Sequence, residues 1–147
     1  MEQLRLGFLS SHDGTNVQAI IDACRQGLLK AEPRVVISNN SSAMVLERAR
    51  REGIPCSHLS RKTHPSPEEL DRAIMDTLGA HGVGLVILAG YMKRLGPRTV
   101  SRYAGYILNI HPALLPKYGG EGMYGKLVHK AVLAAGERTT GVTIHLV

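Results

Sequence analysis

A length of 147 residues suits one domain, and a 44% hydrophobic content supplies a buried core and excludes a disordered composition. The net charge of +6 suits an anionic partner. The 18 Lys and Arg are scattered, however, and with no Trp and one Phe there is little to stack on bases, which favours a small anion over nucleic acid.

Leu4–Leu9 reads as a first strand. From Asn16 onward, Val17, Ile20, Ile21, Cys24 and Leu28 fall on one helical face, with Gly27 and Pro33 marking its end. Residues 34–38 form a second strand, with Val35, Val36 and Ile37 buried. Ser41 or Ser42 is expected to cap a helix carrying Val45, Leu46 and Ala49, which Gly53 ends and Pro55 follows. Residues 56–59 form a short third strand. Ser66-Pro67-Glu68-Glu69 carries the marks of a helix start: a capping hydroxyl, Pro in the first turn, and acids near the positive end. Leu70, Ile74 and Leu78 line its inner face. Leu85–Ala89 is apolar without alternation, as a parallel strand covered on both faces requires. A short helix over 97–103 leads into a strand over 105–110, a further helix is expected over 126–135, and a last strand over 140–147.

Strand–helix alternation of this kind predicts an α/β fold: a doubly wound, Rossmann-like, mostly parallel sheet with helices on both faces. No repeat, linker or low-complexity tract divides the chain, so 1–147 reads as one domain. No apolar run approaches the ~20 residues of a membrane span. No signal peptide precedes the first strand, and Cys24 and Cys56 have neither metal-ligand nor disulfide-framework spacing. A cytoplasmic protein is expected, with no metal.

Doubly wound sheets bind ligands outside the carboxyl ends of their strands, so the strand exits carry the functional signal. The first, Ser10-Ser11-His12-Asp13-Gly14-Thr15-Asn16, runs straight into a helix, whose free amides suit phosphate. Gly14 permits a tight turn, and Thr15 and Asn16 add donors. The plain alternative is a turn with Asn16 as helix cap. The second, Ser38-Asn39-Asn40-Ser41, reads as a turn that could border a cleft. The third, Ala89-Gly90-Tyr91-Met92-Lys93-Arg94-Leu95, offers backbone groups to a flat heterocycle, with Met92 and Leu95 as apolar walls. It reads equally as a basic loop with two core anchors. At the fourth, Asn109 and His111 are two apart on a strand and share a face. An amide can hold a carbonyl oxygen or its developing anion, and an imidazole can move a proton near neutral pH. The pair fits addition at a carbonyl, or a hydrogen-bonded pair that stiffens a loop. His145 either faces the same site or fills a strand position. His58, His64, His81 and His129 show no metal spacing.

The segments "GTNVQAIIDAC", "VISNN", "ERARREGIP", "LAGYMKRLGP", "NIHPALLPKY" and "GVTIHLV" give the chain its identity at family level. From Leu6 to Val147 it resembles the folate-dependent formyltransferases, most closely the branch serving purine biosynthesis. The resemblance implies transfer of a formyl group from 10-formyltetrahydrofolate to the amine of glycinamide ribonucleotide. It places the ribonucleotide phosphate at Gly14, Thr15 and Asn16 and the pterin along Met92, Lys93, Arg94 and Leu95. Asn109 would contact the formyl oxygen and His111 would transfer the proton. No metal, nucleic acid or membrane enters, and a monomer or homodimer is implied.

The phosphate loop departs from the family's Ser-Gly-x-Gly-Ser-Asn, having Ser11-His12-Asp13-Gly14-Thr15-Asn16. The resemblance also implies an essential aspartate just past the strand that ends at Val147, with later elements completing the fold. On that implication the 147 residues are expected to lack the C-terminal part of the family fold and to be poorly active alone. The competing readings are formyltetrahydrofolate deformylase, with water as acceptor, and a non-catalytic folate- or nucleotide-binding module. A transfer-RNA formyltransferase, which needs an RNA-binding extension, fits less well.

Overall fold

The unbroken apolar run Leu85–Ala89 lies inside the sheet, between two parallel neighbours and under helices on both faces. The structure, a computed structural model, describes residues 3–111 and 143–147, of which 111 and 143–146 are described by backbone alone. In chain order the elements are β1 (Leu4–Leu9), α1 (Thr15–Arg25), β2 (Ala31–Ser38), α2 (Met44–Arg51), β3 (Cys56–His58), α3 (Pro67–Ala80), β4 (Leu85–Ala89), α4 (Pro97–Arg102), β5 (Ile107–His111) and β6 (Thr143–Leu146). The expected helix over 126–135 lies outside the described residues, as does the segment 112–125.

The sheet order is β3-β2-β1-β4-β5-β6. β1 to β5 are parallel, and β6 runs antiparallel to β5. The chain winds outward from β1 to β3, then crosses back to β4 and winds the other way. The switch in strand order falls between β1 and β4, where a doubly wound sheet opens its binding crevice.

The two-residue period of the strands divides the core. Leu6, Phe8 and Val36 pack with Val17, Ile21, Val45 and Leu46 of α1 and α2. Leu9, Val35 and Ile37 pack with Ile74 and Leu78 of α3 and with Tyr103 at the end of α4. Phe8, Leu9, Ile21 and Leu78 are fully buried, and burial of each such side chain contributes roughly 1.5–3 kcal/mol. Ser66 caps α3 as expected: its Oγ accepts the Glu69 amide at 3.1 Å, with Pro67 in the first turn.

Three local expectations are corrected. Pro33 does not end a helix, because β2 runs through it. The register passes from Leu6 opposite Pro33 to Gly7 opposite Val35, so Arg34 is an extra residue in a bulge, where a residue without an N–H is tolerated. Leu28 is not on the α1 face. The helix stops at Arg25, Gly27 turns the chain at φ 77°, and Leu28 is left 75% exposed. Neither Ser41 nor Ser42 caps α2, whose cap position is Ala43. Ser42 is held instead by Asn40, whose Oδ1 accepts its amide at 3.2 Å and its hydroxyl at 3.0 Å. The Val45 amide is satisfied from across the sheet edge, by the His12 carbonyl at 3.0 Å.

Candidate functional site

Ser10 and Ser11 leave β1 at the switch point, and each is 1% exposed. Buried polar groups need partners, and theirs come from the neighbouring strand exits. The Ser10 amide donates to the Ile37 carbonyl at 3.0 Å and the Ser11 amide to the Gly90 carbonyl at 3.1 Å. The Ser11 hydroxyl donates to Asn39 Oδ1 at 2.5 Å and accepts the Met92 amide at 2.8 Å. The exits of β1, β2 and β4 are thereby tied at one side chain.

Beyond Ser11 the chain swings over α2. The Asp13 carbonyl accepts Arg48 Nε at 2.6 Å, and Gly14 enters the left-handed region at φ 74°. A Cβ on Gly14 would lie 2.3 Å from Val45 Cγ2 and 2.6 Å from Val45 Cβ, so the loop follows this path only because residue 14 has no side chain. Gly14 also holds the cap position of α1, without a side-chain cap bond. The plain reading of Asn16 as helix cap therefore does not hold: Asn16 is the second residue inside α1, and both it and Thr15 are exposed. A helix start with no side-chain cap directs first-turn amides and the positive dipole end outward, the arrangement that suits an anion. Gly14→Ala is expected to destabilise the protein by about 2 kcal/mol, from a left-handed alanine and a displaced core valine. It should also weaken binding of a phosphorylated ligand about tenfold or more, if that ligand sits on the loop. Urea unfolding and a binding titration check the two parts separately.

Two clefts open beside the tied exits. The larger, about 450 Å³, lies under the start of α3 and is walled by Tyr91, Lys93, Arg94, Leu70 and Asp71. The smaller, about 340 Å³, is lined by Ser11, His12, His58, Met92 and Lys93 among others. Asn39, Lys62 and Lys93 border both. Burial pushes the Tyr91 phenol up to about 12, so it is a neutral part of this wall. Of the residues expected to hold a heterocycle, Met92, Lys93 and Arg94 face these clefts, whereas Leu95 is buried in the core and anchors the segment.

Gly96 and Asp71 fix the far end of that segment. A Cβ at Gly96 would lie 2.3 Å from Asp71 Cγ. Asp71, 4% exposed, accepts the Arg98 amide at 2.8 Å and the Thr99 amide at 3.0 Å, and Thr99 Oγ1 lies 2.7 Å from its Oδ1. Burial alone would raise the Asp71 carboxyl. The Thr99 hydroxyl, the Arg98 and Thr99 amides and the Arg98 charge outweigh it and hold the group below its ordinary value.

The fourth exit lies one strand further along. Asn109 pairs in register with Leu88 of β4 on one side and His145 of β6 on the other, and is half-buried. His111 ends β5 opposite Thr143, and its side chain lies outside the described residues. Position 145, left open by sequence, is placed directly across from Asn109; its side chain also lies outside the described residues. Ser11, Asn39 and Asp71 were not singled out as site residues from sequence. Ser11 and Asn39 carried only the weak signal of polar residues at strand exits, and Asp71 the signal of a carboxylate one residue past Leu70 on an inward-facing turn. Among the described residues no group of three or more His, Cys, Asp or Glu could hold a metal ion, and no helix is long and apolar enough to cross a membrane.

A family described as Formyl transferase matches residues 4–147. A Haemophilus influenzae protein named phosphoribosylglycinamide formyltransferase is 44% identical over 143 residues, covering 97% of this chain and 65% of its own length. The crystal structure of glycinamide ribonucleotide transformylase 1 from Symbiobacterium toebii superposes with a TM-score of 0.88 at 40% identity, over 99% of this chain and 66% of that one. A formyltetrahydrofolate deformylase from Pseudomonas syringae has the same fold, with a TM-score of 0.81 at 23% identity over 99% of this chain and 46% of that one. The chain spans just under two thirds of the length of the first two relatives.

Proposed function

We propose, since the chain belongs to the formyl transferase family, that it acts in transfer of a formyl group from 10-formyltetrahydrofolate to the amine of glycinamide ribonucleotide, a step of purine biosynthesis. The observation that carries this reading is the joining of three strand exits at the switch point. It sets an uncapped α1 start, fit for a phosphate, beside clefts walled by the Met92–Arg94 segment, fit for a heterocycle with an anionic tail.

In this reading Gly14, Thr15 and Asn16 hold the ribonucleotide phosphate, and the pterin lies along Met92, Lys93 and Arg94 with Leu95 anchoring them. The substrate amine attacks the formyl carbon. Asn109 donates an amide N–H to the formyl oxygen as it gains negative charge. His111 moves the proton that the attacking nitrogen must lose and the departing folate nitrogen must gain. Collapse of the tetrahedral species forms the amide and frees tetrahydrofolate.

The test is Asn16→Ala, an exposed position whose change costs the fold little. The expected result is a raised KM for glycinamide ribonucleotide, about tenfold, with a smaller effect on the folate. An unchanged ribonucleotide KM would remove the phosphate assignment. Formate release that needs no ribonucleotide would point to hydrolysis of the formyl donor instead.

A further inference from the structure

We infer that Ser11, a residue of the β1 exit on the phosphate side, is the positioning residue for the Met92–Arg94 wall; this deepens the folate reading above and rests on it. Ser11 does not itself hold a ligand in this account. It acts through the Met92 amide, which donates to its hydroxyl at 2.8 Å from 81 residues away in sequence.

The geometry supports the role in three ways. A peptide group is planar, so a hydrogen bond to its N–H, taken with the hold on the Gly90 carbonyl, restrains the whole Tyr91–Met92 unit. The Ser11 hydroxyl has a single proton, and Asn39 Oδ1 takes it at 2.5 Å, which turns the oxygen's lone pairs toward Met92. The Ser11 amide in turn donates to the Gly90 carbonyl at 3.1 Å, so the same residue grips the segment at two points before it reaches the clefts. Gly90 lies at φ 70°, a conformation without side-chain restraint, and is exposed. The segment turns at an exposed glycine, and Ser11 supplies its fixed point from outside. Beyond that point Met92 and Lys93 line the smaller cleft, and Lys93 and Arg94 the larger. A buried hydroxyl that merely satisfied itself would leave no trace on ligand preference. A positioning hydroxyl should affect the folate side selectively.

The experiment uses the full chain, with tetrahydrofolate and glycinamide ribonucleotide titrated separately. Ser11→Ala is expected to weaken tetrahydrofolate about tenfold or more while leaving the ribonucleotide within about threefold. Hydrogen exchange at the Met92 amide should speed up at least about tenfold, with the Ser10 amide, bonded to Ile37, unchanged. Asn39→Ala, which removes the acceptor that orients the hydroxyl, should weaken tetrahydrofolate as well, and should add nothing further in the Ser11→Ala background. If Ser11→Ala fails to fold, the Asn39→Ala titration and its Met92 exchange carry the test. Unchanged tetrahydrofolate binding and unchanged Met92 exchange in the folded variant would overturn the role of Ser11 and leave the functional reading standing. Equal weakening of both ligands would overturn it too, by assigning Ser11 a general structural part. A wild-type chain that binds neither ligand would overturn the functional reading and this inference with it.

Discussion

Where the expected C-terminal part of the family fold is present, replacing His111 with alanine is expected to lower kcat for formyl transfer about a hundred- to ten-thousand-fold, with both dissociation constants within about threefold. The split between rate and affinity follows from the proposed role. Proton transfer is needed only as the tetrahedral species forms and collapses, so its loss leaves ground-state binding intact. Asn109→Ala is expected to cost about a hundred- to a thousand-fold in kcat, because its amide would act on the oxygen only as charge develops there. The two positions stand two apart at the end of β5, with Asn109 in register with Leu88 beside the β4 exit. Groups serving one transition state are not additive, so the double variant should lose much less than the product of the single losses. Single-turnover kinetics with both ligands saturating are the decisive measurement. A His111→Ala protein with near-wild-type kcat would remove His111 from the chemistry.

What could be read from the chain divides along physical lines. The parallel sheet was legible because Leu85–Ala89 is an unbroken apolar run and the Leu6–Leu9 part of Leu4–Leu9 is buried with it. The start of α3 was legible because Ser66, Pro67 and Glu69 act within one turn. Leu28 was misread locally, because α1 stops at Arg25 and Gly27 turns the chain, whereas the other misreadings involve partners distant in sequence. Ser41 and Ser42 were plausible caps by spacing, but the α2 amide at Val45 is satisfied by His12, a contact that only the sheet edge creates. Pro33 looked like a stop because the bulge that accommodates it is a property of the β1–β2 pair and not of β2 alone. At the candidate site, Gly14 could be read as a turn glycine, but its close approach to Val45 could not. Leu95 could be read as a wall or an anchor, and the packing of α3 and α4 makes it an anchor. Asn39 was read as a residue of an exit that could border a cleft, and it borders both clefts, but the hydrogen bonds made by Ser11, Asn39 and Asp71 were not legible, because their partners lie between 27 and 81 residues away.

The second large effect concerns Asp71. Asp71→Ala is expected to destabilise the fold by about 3 kcal/mol, because it strips a buried charged acceptor from the Arg98 and Thr99 amides and from the Thr99 hydroxyl. In a domain of this size that corresponds to a fall in Tm of roughly 6–12 °C. Asp71→Asn should be only partly tolerated. One side-chain oxygen remains for Thr99, but the new amide presents a donor to the Arg98 amide, where an acceptor is required. The stabilisation depends on pH with a definite sign. The carboxyl is held below its ordinary value in the folded state. Its contribution is therefore complete above the unfolded carboxylate pKa, about 3.9, and is lost as pH falls through the lower folded value. Wild type and Asp71→Asn should thus differ most near pH 7 and converge as the medium is acidified below about 4. Because Asp71 also walls the larger cleft and fixes the Gly96 end of the Met92–Leu95 segment, loss of stability should be accompanied by weaker folate binding even well below Tm. Thermal unfolding of the three proteins at several pH values separates these claims. A gap that widened on acidification would show that the carboxylate is not the stabilising form, and an unchanged Tm at pH 7 would show that the start of α4 does not depend on it.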